Sequence, residues 1–459
     1  MILFLTFLLF QILVTNIGVG ILRAISFIKR DDIESLAIGY LIGAVAFSFY
    51  IFLILIAGGS LSSLSVGMFF IVGTGGTVYL IGKRGAKNYL SQECFLPFKI
   101  SDGWKKTSTI QKGLISLMGV FICFKLFLGL WFIFNAPAYF DDAITHWNIR
   151  AKNIYFEKFL NFNPENKEMS FLGGSIFHYP FFLVTYKAGL SLFIGQWHEG
   201  YANIFHFITF IILIMIFFLK SYEYSEGNIF ITTVFTFMAA SAPLAFFHSF
   251  TAHGDMITGI FFVLSLIYLV DYIRKNEMKE LILSGIFLFG ATFTKNEGLV
   301  LIFSSISLTA IIFAFLWKDW RLLIPSTIAF ALLLPHNLMR LFYNLRLNPI
   351  ADDSIGYHKH TVKIFSIVMT EWGHSNILWY IVPAILILFL RYAIQKKEIK
   401  FTFVALFLVG VLIFFTFGFT ASFTDNFKNQ MAVNRTLMMY SFSLVYFLMM
   451  LTNTKRIKK

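Results

Sequence analysis

The sequence predicts an all-α, polytopic membrane protein with about 13 spanning helices, and three observations carry that expectation. Apolar residues make up 58% of the 459 and charged residues only 13%. The apolar residues fall in repeated runs of about twenty, the length that crosses a bilayer as a helix. Aromatic residues reach 19%, with 59 Phe, a load that suits lipid-facing helices and interfacial belts better than a water-soluble core.

In chain order the predicted spans are 2–20, 36–57, 65–82, 112–134, 201–219, 229–247, 255–272, 281–294, 297–316, 322–342, 376–390, 401–420 and 437–452. The first lacks a basic leader and is longer than the apolar part of a signal peptide, so it reads as a retained span. One further run, 180–196, opens His178-Tyr179-Pro180, carries Lys187 in its middle and ends Gln196-Trp197-His198-Glu199. It fits either a short span or a helix lying in the interface.

Charge decides between the two, because every later span changes side with it. If 180–196 does not cross, the connections 23–35, 83–112, 220–228, 273–280, 317–321, 391–400 and the tail share one side and carry roughly twice as many Lys and Arg as the other side, as a cytoplasmic face should. If it crosses, Arg391, Lys396, Lys397, Lys400 and the basic tail move outside. The run is therefore expected to be an external juxtamembrane helix. That parity puts Asp141, Asp142, His178, Asp255, Lys295, Glu297, Asp352, Asp353, Glu371 and His374 together on the external side.

The chain divides into a region of additional N-terminal helices and a basic loop (1–111), a central module with external loop 135–200 (112–320), and C-terminal helices with external loop 343–375 (321–459). A formal charge of +13 scattered over short connections argues against nucleic acid as a partner, which needs a continuous basic patch. Cys94 and Cys123 form neither a disulfide framework nor a thiolate metal site. There is no internal repeat or low-complexity tract.

Adjacent carboxylates Asp141 and Asp142 stand at the outer end of span 112–134. An interfacial position keeps their water, whereas a carboxylate in hydrocarbon costs roughly 2.5–3.5 kcal/mol. In a helix, Asp142, His146 and Arg150 share one face beside Trp147. They form either a base, cation and aromatic platform or a solvated ion-pair ladder with a membrane anchor. His178 either binds metal or phosphate or caps the helix that Pro180 starts. Asp255 is a capping residue or a site carboxylate. Thr294-Lys295-Asn296-Glu297-Gly298 is a hairpin turn whose Lys295 can hold a phosphate as a point charge. His358 and His360 lack further ligands at metal-binding spacing, and Lys125 within a span must snorkel or face the bundle.

Taken in order, the acidic pair after a span, His-Tyr-Pro opening a juxtamembrane helix, a polar turn ending in Asp255, and Thr-Lys-Asn-Glu-Gly resemble the GT-C superfamily of membrane glycosyltransferases. The nearest likeness is to bacterial relatives of protein O-mannosyltransferases and lipid A aminoarabinose transferases. It covers about residues 112 to 300, more loosely to 390, and leaves out the first three spans. The resemblance implies a polyprenyl-phosphate sugar donor, catalysis at the outer face of the cytoplasmic membrane, and inversion at the anomeric carbon. It makes Asp141 the general base, with Asp142 in place of the Glu often found second, and Asp255 a further active-site acid. Arg150, Lys152 and Lys295 become candidates for the donor phosphate, and His146, Trp147, His178, Tyr179 and Glu297 for substrate contact. The acceptor is a glycan, lipid or protein hydroxyl, and a divalent cation is compatible with the set. A secondary transporter or flippase is the rival from another class, and a scaffold that binds the lipid without chemistry is a third.

Overall fold

Close approach of backbone to backbone sets the N-terminal hairpin. Helices α1 (Ile2–Ala24) and α2 (Ile33–Ile56) cross where a Cβ on Gly18 would lie 1.7 Å from the Gly39 carbonyl oxygen and one on Gly43 would lie 2.0 Å from that of Val14. Small residues allow such contact, which drives association where lipid tails are as apolar as the helices. The computed structural model describes residues 1–26, 33–84, 100–136, 142–160, 179–345, 396–417 and 426–452. Among them every regular element is helical.

After α3 (Ser63–Arg84) and the short α4 (Ile100–Lys105) comes α5 (Thr109–Asn135). Ser108 and Gln111 begin α5 with a reciprocal capping box. A wide π-type turn over Ala143–Asn148 leads into α6 (Ile149–Glu157), followed by α7 (Phe182–Ile194) and α8 (Glu199–Tyr224). The second half comprises α9 (Ile229–Ser241), α10 (Pro243–Thr251), α11 (Gly254–Lys275), α12 (Met278–Thr294), a second π-type turn over Gly298–Phe303, α13 (Ser304–Trp317), α14 (Ile324–Phe342), α15 (Lys397–Phe415) and α16 (Asn426–Thr452).

Nine of these elements among the described residues are long and apolar enough to span, or ten if α9 and α10 form one broken span, against the 13 expected. The expected span 229–247 is broken because Pro243 has no N–H to continue the ladder, and the axis turns by 56°. Lys125 answers the break. Its ammonium donates to the Ala240 carbonyl at 3.0 Å and lies over the Phe246 ring at 4.5 Å. The expected span 281–294 is the 17-residue α12, and 376–390 lies outside the described residues, as do Cys94 and the polar residues of loop 343–375 from Asp352 to His374.

Helix α7 departs most from expectation. Both its ends sit at one end of the bundle: Phe181 stacks on Phe52 near the end of α2, while His198 and Tyr201, just past α7, pack on Phe134 at the end of α5. It therefore does not cross. Yet it is no surface helix, since every residue from Phe182 to Leu192 is buried. Ser48 donates to the Phe182 carbonyl and pairs with Thr185, both at 2.6 Å, and the Tyr186 hydroxyl meets Tyr40 at 3.1 Å and Gln11 at 3.3 Å. The first three helices thus form a cradle for α7.

Of the segments that the charge pattern groups on one side, the described parts of 23–35, 220–228, 273–280, 317–321 and 391–400 meet at one end of the bundle. Buried Lys220 of α8 pairs with Glu34 of α2 at 2.9 Å and Asp271 of α11 at 3.1 Å. Tyr272 donates to Asp319 at 2.6 Å, and Lys397 lies over Trp317. The opposite end carries Asp142, Asp255 and Lys295. Exposed Lys152 and Lys400 belong to opposite ends. With both native cysteines replaced, a membrane-impermeant thiol reagent should label Lys152→Cys and Lys400→Cys from opposite sides of sealed vesicles. Labelling of both from one side would mean that the helix order is wrong.

Candidate functional site

Three helix termini and one turn converge on a buried lysine. Lys295 ends α12 in extended conformation (φ −151°, ψ 151°), which turns its side chain back along the bundle. There its ammonium meets Asp255 of α11 at 2.6 Å and Glu297 at 3.0 Å. Lys295 and Asp255 are 5% and 1% exposed, so the pair has left water, and only mutual attraction in a low dielectric offsets the several kcal/mol per ion that this costs. Burial works against the charge on Lys295, but Asp255 and Glu297 outweigh it and hold the ammonium well above the ordinary lysine range.

Above the pair lies a second one. Arg435, on the first half of α16, donates to Asp142, and His253 Nδ1 lies 3.7 Å from the same carboxylate oxygen. Burial pushes the Asp142 carboxyl up, but the contact with His253 and the charges of Arg435 and Lys295 prevail and hold it well below the usual carboxylate range. The side chains of Asp142, Arg435 and Glu297 keep 25%, 23% and 32% of their exposure, so they form the open rim, with Lys295 and Asp255 as the floor. The wide turns at Ala143–Asn148 and Gly298–Phe303 begin immediately after Asp142 and Glu297. Such π-type turns re-aim side chains and recur at functional positions.

The remaining candidates divide. Trp147 is 2% exposed and packs on Gly254, where a Cβ would come within 2.9 Å of its ring. It is a wedge between the Asp142 segment and the start of α11, so the expected membrane anchor or open platform is not what the structure places there. His146 packs on Tyr179 at 5.5 Å between rings. Burial, with the charge of Glu297, pushes the Tyr179 hydroxyl up to about 12, so it stays protonated. Arg150 is turned away from the cluster. It donates to the Tyr179 and Pro180 carbonyls and stacks over Phe181, so the Asp142–His146–Arg150 ladder does not form. Lys152 is exposed on α6, and Asp141 and His178 lie outside the described residues.

Sequence reasoning passed over Arg435, His248 and His253. The parity that put 421–436 on the face of Asp142 was the available signal for Arg435. His248 ends up against His253, ring centroids 4.5 Å apart, because Ala252 takes a left-handed turn (φ 62°) between α10 and α11, a conformation that an alanine does not advertise.

The site segment is braced from below. Lys187 of α7, wholly buried, donates to Asn148 at 2.8 Å and Asn203 at 2.9 Å, and Asn148 donates to Glu199 at 2.9 Å. Compared with protein-family models, curated proteins and solved structures, the chain has no match.

Two outcomes follow from the buried charges. Lys295→Met strands Asp255 and should cost about 3–5 kcal/mol, while adding Asp255→Leu should recover most of it. Thermal unfolding in detergent measures this, and equal losses in the single and double variants would show that the two residues are not coupled. A carboxylate depressed on folding stabilises above its unfolded pKa and loses that contribution as pH falls through the folded value. Asp142→Asn should therefore be less stable than the wild type at pH 7, with the gap closing only below about pH 4. A gap that closes between pH 7 and 5 would contradict the depressed carboxyl.

Proposed function

We propose that the protein is a membrane glycosyltransferase of GT-C type, which moves a sugar from a polyprenyl-phosphate donor to an acceptor hydroxyl at the membrane surface. The observation that carries the reading is the convergence of Asp142, Asp255, Glu297, Lys295 and Arg435 at helix ends on one face, within reach of a lipid headgroup. Phe262, Leu301 and Met439 line a small apolar void beside Glu297.

The reading gives each residue a role. A general base works best with a pKa near ambient pH, which disfavours Asp142, held ionised by Arg435; Asp255 is occupied by its ion pair with Lys295. The resemblance leaves Asp141 as the base that takes the acceptor proton. Asp142 positions Arg435, and Arg435 with Lys295 stabilises the charge that develops on the departing phosphate. The oxygen of the acceptor attacks the anomeric carbon as the bond to phosphate breaks, which inverts the configuration. The outer face of the cytoplasmic membrane is the compartment that the charge pattern favours.

A transporter remains the second reading, because the broken α9–α10 segment beside ionisable groups is a feature of ion-coupled carriers. Mass spectrometry of cells with and without the protein separates the two. A transferase predicts accumulation of one polyprenyl-phosphate sugar and loss of one glycan modification, restored by the wild type and not by Asp141→Asn. Arg435→Gln should lower transfer about 100-fold or more, as loss of a transition-state donor does. Unchanged glycans with a substrate-coupled ion flux would sink the proposal.

A further inference from the structure

We propose that His248, His253 and Asp255 bind one divalent cation of zinc type at the base of the charged cluster. One ring nitrogen from each histidine and one carboxylate oxygen lie within 4.8 Å of one another, and the three residues are 1%, 5% and 1% exposed. Zinc bonds of about 2.0–2.1 Å place tetrahedral ligand atoms roughly 3.4 Å apart, so binding draws the groups together by about an ångström. Two imidazoles and a carboxylate suit a borderline-soft ion and disfavour magnesium or calcium, which take oxygen sets.

Two buried atoms point to a missing partner. His248 Nδ1 and Asp255 Oδ2 have no hydrogen bond, in a setting where more than nine in ten buried polar groups are satisfied. Asp255 divides its work: Oδ1 takes Lys295 and Oδ2 is left for the ion. Asp142, in contact with His253, is placed to orient that ring or to complete the coordination, and either role is a familiar one for a carboxylate beside a metal-bound histidine.

The charge balance agrees. Three carboxylates (Asp142, Asp255 and Glu297) face two cations (Lys295 and Arg435) across the cluster, an excess of one negative charge before the imidazoles are counted. A divalent ion reverses that sign. A net positive cluster attracts an anionic phosphate where the bare one repels it, and only this consequence rests on the transferase reading.

The test uses tag-free, detergent-solubilised full-length protein, stripped with chelator and reloaded with Zn²⁺ or Co²⁺. Elemental analysis after gel filtration should find one zinc per chain, and cobalt should give the visible absorption of a nitrogen-ligated, four- or five-coordinate site. His248→Gln and His253→Gln should each weaken binding about 10-fold or more, while His336→Gln, buried in α14 against Phe52 and Phe181, should bind as the wild type does. Substoichiometric uptake by the stripped wild type, or a His248→Gln/His253→Gln double variant that binds as tightly, would overturn the site. Where a variant does not fold, X-ray absorption of the zinc-loaded wild type decides, since a spectrum without imidazole scattering excludes these ligands. Sugar transfer enters none of these readouts, so a failure of the transferase reading and a failure of the metal site are distinguishable.

Discussion

The ion pair of Lys295 with Asp255 is the constraint around which this end of the bundle is organised. A lysine ammonium at 5% exposure has surrendered its hydration, and removal of it leaves on Asp255 a charge that the surrounding apolar helices cannot solvate. The pair fixes the end of α12 against the start of α11. It also sets the depth of Glu297 and, through the shared field, keeps Arg435 and Asp142 paired above it. The pair makes a poor general base and a good foundation.

The same logic gives the first three helices their place. Among the described residues, Ser48, Tyr40 and Gln11 hold α7, and α7 holds the Asp142 segment through Lys187 and Asn148. Each link is a hydrogen bond from a polar side chain in a largely apolar surround, where an unmade bond costs more than a made one contributes. Such a chain specifies position more than it adds stability. It transmits the geometry of the α1–α2 crossing, set by Gly18 and Gly43, to the carboxylate at the far side of the bundle.

What the sequence revealed and what it hid follow from the range of each signal. Spans such as 36–57 and 201–219 were legible because bilayer thickness imposes a length on every one of them. The grouping of Asp142, Asp255 and Lys295 was legible because charge parity is a sum over the whole chain. Trp147 and Arg150 were misplaced because helical spacing assumes 3.6 residues per turn, and the wide turn over Ala143–Asn148 rotates everything that follows it. The burial of α7 was hidden for another reason. Its Lys187 argued for an interface, and only the two asparagines that solvate it, one of them in another helix 16 residues on, make the interior acceptable. Arg435 could not be weighed without a partner nearly three hundred residues away.

The two ends of the bundle also differ in chemistry. The end with Lys220 joins Glu34, Asp271 and Arg274 through ion pairs and tyrosine hydroxyls, a clasp between helix ends. The other end places imidazoles beside carboxylates and sets a guanidinium at its rim. Ionisable groups that served a carrier would be expected near the bilayer midplane, reachable from both sides in turn. Here they stand where α11, α12 and the Asp142 segment begin or end, one membrane surface away from the clasp. Under the proposed transferase reading, that placement would let the apolar body of a lipid stay among the helices while its charged head meets Arg435, which is the physical reason to favour chemistry at a surface over passage through it.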